Sequence, residues 1–196
     1  KMLRVVAPRL ADTIVLVADM VQWGEEARRR AFTDELTGLY NRRFLDESLS
    51  DHFAAAAREG SPLCLVMMDL DNFTAINTEY GPDVGDQLIA AVAPSIKDTF
   101  RETDILARYG GDEFTFILPG TTTGDALALC RRLGRAVERV DFLARRGGTI
   151  SSVTTSQGIA CYPDHAATPE ELRERADHAL YLAKERGRNR AEAAED

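Results

Sequence analysis

Two acidic clusters in this chain have the residue types to handle a metal-bound phosphate. The first is Arg108-Tyr109-Gly110-Gly111-Asp112-Glu113-Phe114, where a pair of glycines precedes a pair of carboxylates. Ile105 to Tyr109 before it and Phe114 to Leu118 after it are rich in β-branched and aromatic residues with partial alternation, which predicts two short strands. The glycines permit positive φ at the tight turn between them, so the acids stand at the tip of a hairpin. The second cluster, Met68-Asp69-Leu70-Asp71, follows the apolar run Leu63 to Met68, which reads as a strand buried on both faces. Carboxylates brought together from two strand ends make an oxygen site for a hard cation, Mg²⁺, with bound phosphates. A Gly-Gly-Asp-Glu alone is an ordinary surface turn; the second cluster is what argues for chemistry.

The whole chain bounds what that chemistry can be. Its 196 residues allow one domain with a sizeable core plus one long extra element. A formal net charge of −8 argues against a nucleic-acid or anionic-membrane surface, so cations that bind phosphate must be locally placed. Cys64, Cys130 and Cys161 have neither zinc spacing nor a disulfide-framework pattern and are expected as reduced core thiols in a cytoplasmic protein. No apolar run approaches the ~20 residues of a membrane span. The chain opens in helical character and is expected to be part of a longer signalling protein with an upstream sensory domain.

The elements that position the acids can be read in order. Residues 1–33 are expected as a signalling helix. Leu3, Val6, Leu10, Thr13, Val17, Met20, Gly24, Ala27 and Ala31 form a heptad seam that predicts a parallel coiled-coil dimer. A stripe of Leu10, Ile14, Val17 and Val21 competes with it, and packing on the chain's own domain is the alternative. A catalytic domain is expected over 34–196. Gly38 breaks the helix, and Asn41 caps a new one running to about Arg58. After Asp71 a helical stretch turns at Gly81-Pro82 into a long helix from about Val84 to Phe100. Thr123 to about Val140 is amphipathic, with Arg131, Arg132 and Arg135 outward, and Thr149 to Ala160 is a β-rich run. Thr168 and Glu171 resemble a capping box opening the last helix. Lys184 and Arg188, four apart, would share a face if that helix continued. His52, His165 and His178 have no metal-ligand spacing, and no P-loop or dinucleotide fingerprint occurs.

Several of these motifs, in this order, resemble the GGDEF domain of the diguanylate cyclases, from about Asp34 to about Arg190. The hairpin is similar to the family signature. Asp34 to Arg43 is similar to its D-x-L-T-G-L-x-N-R-R junction, the run Thr149 to Ala160 to its V-T-x-S-x-G strand, and Ala176 to Asn189 to its last helix. In D-x-D-x-F-K-x-x-N-D-x-x-G-H-x-x-G-D the chain keeps Asp69, Asp71, Phe73, Asn77, Gly81, Gly85 and Asp86, but has Thr74 for lysine, Thr78 for aspartate and Pro82 for histidine. The resemblance implies an α+β sandwich like nucleotide cyclases and polymerase palms, with a mainly antiparallel central sheet flanked by helices and a long N-terminal helix.

It also implies a function: two GTP joined into cyclic di-GMP with release of two pyrophosphates, across a homodimer. Metal would be held by Asp69, the Leu70 carbonyl, Asp112 and Glu113, as two Mg²⁺ per site with Mn²⁺ as an alternative. Asp112 and Glu113 would be catalytic. Phe73, Asn77, Asp86, Gly110, Gly111, Lys184 and Arg188 would bind GTP, an amide and a carboxylate suiting the guanine edge. Arg101 and Asp104, as an R-x-x-D, would bind cyclic di-GMP as inhibitor, completed by an arginine of the 131–135 run from a neighbour. Loss of the lysine at Thr74 is expected to lower affinity without abolishing activity. The alternative is a catalytically silent domain that senses GTP or cyclic di-GMP. A cyclase for another base is disfavoured by Asp86.

Overall fold

The computed structural model describes residues 30–195, together with Met20 and Trp23. Most of the helix expected over 1–33, and its heptad seam, lies outside the described residues; those at 30–32 are helical. Strand β1 (Tyr40–Asn41), helix α1 (Arg42–Glu59), β2 (Leu63–Leu70), α2 (Phe73–Tyr80), α3 (Pro82–Thr99), β3 (Ile105–Gly110) and β4 (Glu113–Pro119) come first. They are followed by α4 (Thr123–Glu138), a 3₁₀ turn at Ala144–Arg146, β5 (Thr155–Tyr162), α5 (Pro169–Glu185) and β6 (Arg190–Ala193).

The strands form one six-stranded sheet in the order β1-β3-β4-β2-β5-β6. Its centre, β3-β4-β2-β5, is antiparallel, and β1 and β6 add in parallel at the two edges. β2 sits in the middle because it is apolar on both faces. Cys64, Val66, Met68 and Leu70 pack with Leu88, Val92 and Ile96 of α3 and Leu133 of α4. Leu63 and Leu65 pack on the other face with Leu45 and Leu49 of α1 and Leu172 of α5. The sandwich expected from the sequence is therefore present, with helices on both faces.

Local signals act as their chemistry dictates. Asn41 Oδ1 accepts from Phe44 N at 3.1 Å and starts α1. Pro82 is the first residue of α3, where its missing N–H costs nothing. Thr168 Oγ1 accepts from Glu171 N at 3.1 Å, while Glu171 Oε2 accepts from Ala167 N at 2.9 Å, one residue short of a true capping box.

Three expectations are corrected. β5 starts at Thr155, not Thr149, because residues 149–150 are pulled away to Glu79. Cys64 and Cys161 are not free thiols: they lie directly opposite on β2 and β5, with Cα atoms 4.0 Å apart, and are joined as a disulfide, leaving Cys130 as the buried free thiol. α5 ends at Glu185, and Arg188 lies beyond it at φ 62°, so Lys184 and Arg188 do not share a helical face.

Candidate active site

The β2–β4 pairing sets the geometry of the acids. Asp69 and Glu113 are direct partners in the ladder, and Leu70 N donates to Asp112 O at 3.3 Å. The two-residue tip between β3 and β4 is Gly111-Asp112, and Gly111 takes φ +54°, a region open to glycine. Gly110 needs no positive φ, and a Cβ at either glycine would meet open space.

Asp71, two residues after Asp69, plays a different part. It is buried, and accepts from Ser156 Oγ at 2.6 Å, Thr154 Oγ1 at 2.6 Å and Asn189 N at 3.0 Å. It ties the end of β2 to β5 and to the turn before β6. Asp71 lies one residue past the end of β2, where the strand's alternation no longer sets its direction, so grouping it with Asp69 as one acidic cluster overlooked where the strand stops.

A pocket of about 900 Å³ opens beside these acids, lined by Asp69, Leu70, Asp112, Phe73, Lys184 and Arg188 among others. Lys184 Nζ reaches Asp69 Oδ2 at 2.8 Å. Burial, and then the charge of Asp69, push the Asp112 carboxyl above its ordinary range against the pull of Lys184 and Arg108. Partial desolvation and Asp69 do the same to Glu113, although its side chain reaches solvent. Among the described residues no three acidic, histidine or cysteine side chains converge as a closed metal cage. Mg²⁺ typically uses one or two carboxylates and completes its shell with water and substrate phosphates, so mutually destabilised acids beside an open pocket fit that ion.

The residues assigned to guanine sit apart from the acids. Asn77 is on α2 and Asp86 on α3, either side of the turn at Gly81. Neither lines the pocket. Asn77 Oδ1 is buried without a partner, 1.9 Å from where a Cβ on Gly85 would lie, so only glycine at 85 leaves Asn77 in place. Asp86 is exposed. Thr74 and Thr78 line the pocket, and Thr78 Oγ1 donates to Thr74 O at 2.8 Å.

Sequence reading missed one wall of the pocket, Thr149 and Ile150. Glu79 holds it: Thr149 N and Thr149 Oγ1 both donate to its carboxylate, the latter at 2.6 Å, and Tyr80 Oη donates to Ile150 O at 2.7 Å. The Thr149 hydroxyl bond keeps the Glu79 carboxyl below its usual value. A Glu-Tyr pair at the end of a short helix was the available signal, but it has no fixed spacing to the loop it grips.

The junction after residue 33 is wired to the hairpin. Asp34 Oδ1 accepts from Thr37 N at 2.9 Å, and Arg108 Nη1 donates to Asp34 Oδ2 at 3.1 Å. Arg108 Nε also donates to Gly111 O at 2.9 Å. The pair is largely buried, at 14% and 21% side-chain exposure. Arg108→Leu is expected to destabilise the domain by about 1–3 kcal/mol in urea unfolding, because Asp34 and the hairpin carbonyl lose their donor. An unchanged midpoint would mean that water replaces the arginine fully.

The R-x-x-D forms a tight turn. Arg101 N donates to Asp104 Oδ2 at 2.8 Å, and Asp104 N to Arg101 O at 3.1 Å. Asp104 is 5% exposed, its Oδ1 has no partner, and burial raises its carboxyl against the pull of Arg101. Arg101 is exposed. Of the α4 arginines, Arg132 points this way, donating to Thr99 O.

A sheet that gathers carboxylates at two central strand ends, beside a cation-lined pocket and between helical layers, defines a palm-like α+β domain. The family model "Diguanylate cyclase, GGDEF domain" matches residues 31–190, and the chain belongs to that family. It is 37% identical over 159 residues to response regulator PleD of Caulobacter vibrioides, covering 81% of this chain and 35% of that protein. It is 39% identical over 170 residues to diguanylate cyclase DgcP of Pseudomonas aeruginosa, covering 87% of this chain and 25% of that one. The chain thus spans about a third or less of these relatives' length. Among solved structures, the coiled coil and GGDEF domain of DgcB from Caulobacter crescentus, in complex with c-di-GMP, superposes with a TM-score of 0.86 at 33% identity, covering 96% of this chain and 99% of that one.

Proposed function

We propose that residues 34–196 are a diguanylate cyclase domain that condenses two GTP into cyclic di-GMP and two pyrophosphates, and that residues 1–33 are a signalling helix. The observation that carries this is the ladder pairing of Asp69 with Glu113, which sets both acids beside a pocket lined by Lys184 and Arg188. Named relatives of the same family and the DgcB complex support it.

Each subunit presents one GTP. Lys184 and Arg188 hold its triphosphate, Phe73 lines the base side, and Asn77 with Asp86 reads guanine. Gly110 and Gly111 present open backbone to the nucleotide. Asp69, the Leu70 carbonyl, Asp112 and Glu113 would hold Mg²⁺ or Mn²⁺, which would neutralise the phosphates and lower the pKa of the attacking 3′-hydroxyl. Glu113 is either one of these ligands or the group that helps deprotonate that hydroxyl. One subunit supplies half of the reacting atoms, so a homodimer must align two sites. Met20 and Trp23 are 67% and 79% exposed in the single chain, in keeping with a helix that pairs with a second copy. No helix among the described residues is long and apolar enough to cross a membrane.

The test is purified protein with Mg²⁺ and GTP, then ATP, at a concentration that favours dimers. Cyclic di-GMP from GTP alone is the expected product. Tight binding of GTP or cyclic di-GMP without turnover would replace the cyclase with the sensor reading.

Two variants probe the details. Thr74→Lys returns a cation to the pocket wall and is expected to lower the KM for GTP about 2–5-fold with kcat unchanged, the effect of an exposed ion pair worth ~0.5–1 kcal/mol. No change in KM would place Thr74 away from the phosphates. Arg101→Ala is expected to raise the inhibitory concentration of cyclic di-GMP at least about tenfold. Its thermal stability should hold, since the bond to Asp104 is made by the Arg101 backbone. Inhibition left intact would move the product site elsewhere.

A further inference from the structure

A second cavity, of about 200 Å³, opens between α4, β5 and the start of β6. Arg131, Gly134, Arg135 and Glu138 line it from α4, at spacings that put them on one helix face. Arg190 and Gln157 line it from β6 and β5. None of these residues lines the pocket of the proposed cyclase site, although Arg131 and Arg135 belong to the run from which the resemblance draws an arginine for the inhibitory site.

Three features ask for a ligand of particular chemistry. Arg131 and Arg135 are like charges at i and i+4, a mutually unfavourable pair, and among the described residues neither forms an ion pair or side-chain hydrogen bond. Arg190, the third guanidinium, is paired with Glu192 at 3.3 Å. Gln157 is 1% exposed: its Nε2 donates to Thr155 Oγ1 at 2.7 Å, while its Oε1 is buried with no donor. An orphaned buried acceptor of this kind is unfavourable until a donor reaches it. Residue 134 is glycine, and a Cβ there would stand in ordinary contact with the Gln157 amide, 3.6 Å from its Nε2.

We propose that this cavity binds a small phosphate monoester that also carries hydroxyl groups. Planar guanidiniums match phosphate oxygens in a bidentate fork, and two free ones face the same space. A hydroxyl on the ligand donates to Gln157 Oε1, and Glu138 accepts a second. The volume is below the ~300 Å³ at which drug-sized pockets begin, which suits a small ligand.

The experiment titrates glycerol 3-phosphate into the ¹⁵N-labelled protein in EDTA without GTP, so the outcome does not depend on the cyclase reading. The reporter is the Gln157 side-chain amide, assigned by its loss in Gln157→Glu. A saturable shift is expected, at least about tenfold weaker in the Arg131→Gln/Arg135→Gln double variant and unaltered in Lys184→Ala. Sulfate, which carries no proton to donate at neutral pH, is expected to bind at least about tenfold more weakly. A silent Gln157 signal, equal affinity in the double variant, equal affinity for sulfate, or loss of binding in Lys184→Ala would each overturn the proposal, the last by placing the phosphate in the larger pocket.

Discussion

Asp112→Asn is expected to cut cyclic di-GMP synthesis about 10²–10³-fold, the loss typical of removing one group that stabilises transition-state charge. The same change is expected to raise the melting temperature of the metal-free domain by about 1–3 °C. The two effects share a cause. Burial and the charge of Asp69 hold the Asp112 carboxyl above its ordinary range, so its ionised form is disfavoured in the folded chain. A carboxyl raised on folding leaves stability intact below its unfolded pKa and loses it as pH rises through the folded value. The metal-free domain should therefore lose stability just above the ordinary carboxylate range. The asparagine variant should show a flatter profile there. With Mg²⁺ and a non-hydrolysable GTP analogue the order should reverse, because only the wild type recovers its ligand. Scanning fluorimetry across pH, in EDTA and then with ligand, reads both halves. A lower metal-free melting temperature in the variant would mean that the carboxylate is already well paired in the folded chain. Retained synthesis would remove Asp112 from the reacting centre.

How much was legible in the sequence depended on whether a signal was local. β2 was readable because eight consecutive residues are nearly all apolar, and the β3–β4 hairpin because two strand-like runs are separated by glycines. Asn41 and Thr168 announced two helices by capping chemistry. Non-local facts were out of reach. That Asp71 is internal follows from Thr154, Ser156 and Asn189 reaching it from beyond position 150. The Cys64–Cys161 bond depends on the β2–β5 register across 97 residues, which no spacing rule encodes. Arg188 was placed on a helix because the pattern around it is helical, yet Gly187 at φ +111° ends that course, and the arginine reaches the pocket from a turn instead.

Gly158→Ala is expected to destabilise the domain by about 3 kcal/mol, at the upper end of overpacking effects. A Cβ at 158 would stand 2.1 Å from Leu180 N and 2.2 Å from Ala176 O. Both are backbone atoms, so no rotamer change relieves the contact; α5 must lift from β5 by about 1.5 Å to restore ordinary separation. Lys184 lies one turn beyond Leu180 on that helix, and its 2.8 Å pair with Asp69 stretches with it. The KM for GTP should therefore rise in the fraction that remains folded, beyond what lost protein explains. Gly124→Ala is the control: it sits near the start of α4 with nothing within 4 Å of the new Cβ, and a small gain from helix propensity is expected there. Urea unfolding of the two variants, with GTP kinetics on the folded protein, separates the possibilities. Equal stabilities would show that α5 slides freely over β5. A large loss with normal KM would show that the position of Lys184 is set by its contacts at the pocket rather than by how α5 seats on Gly158.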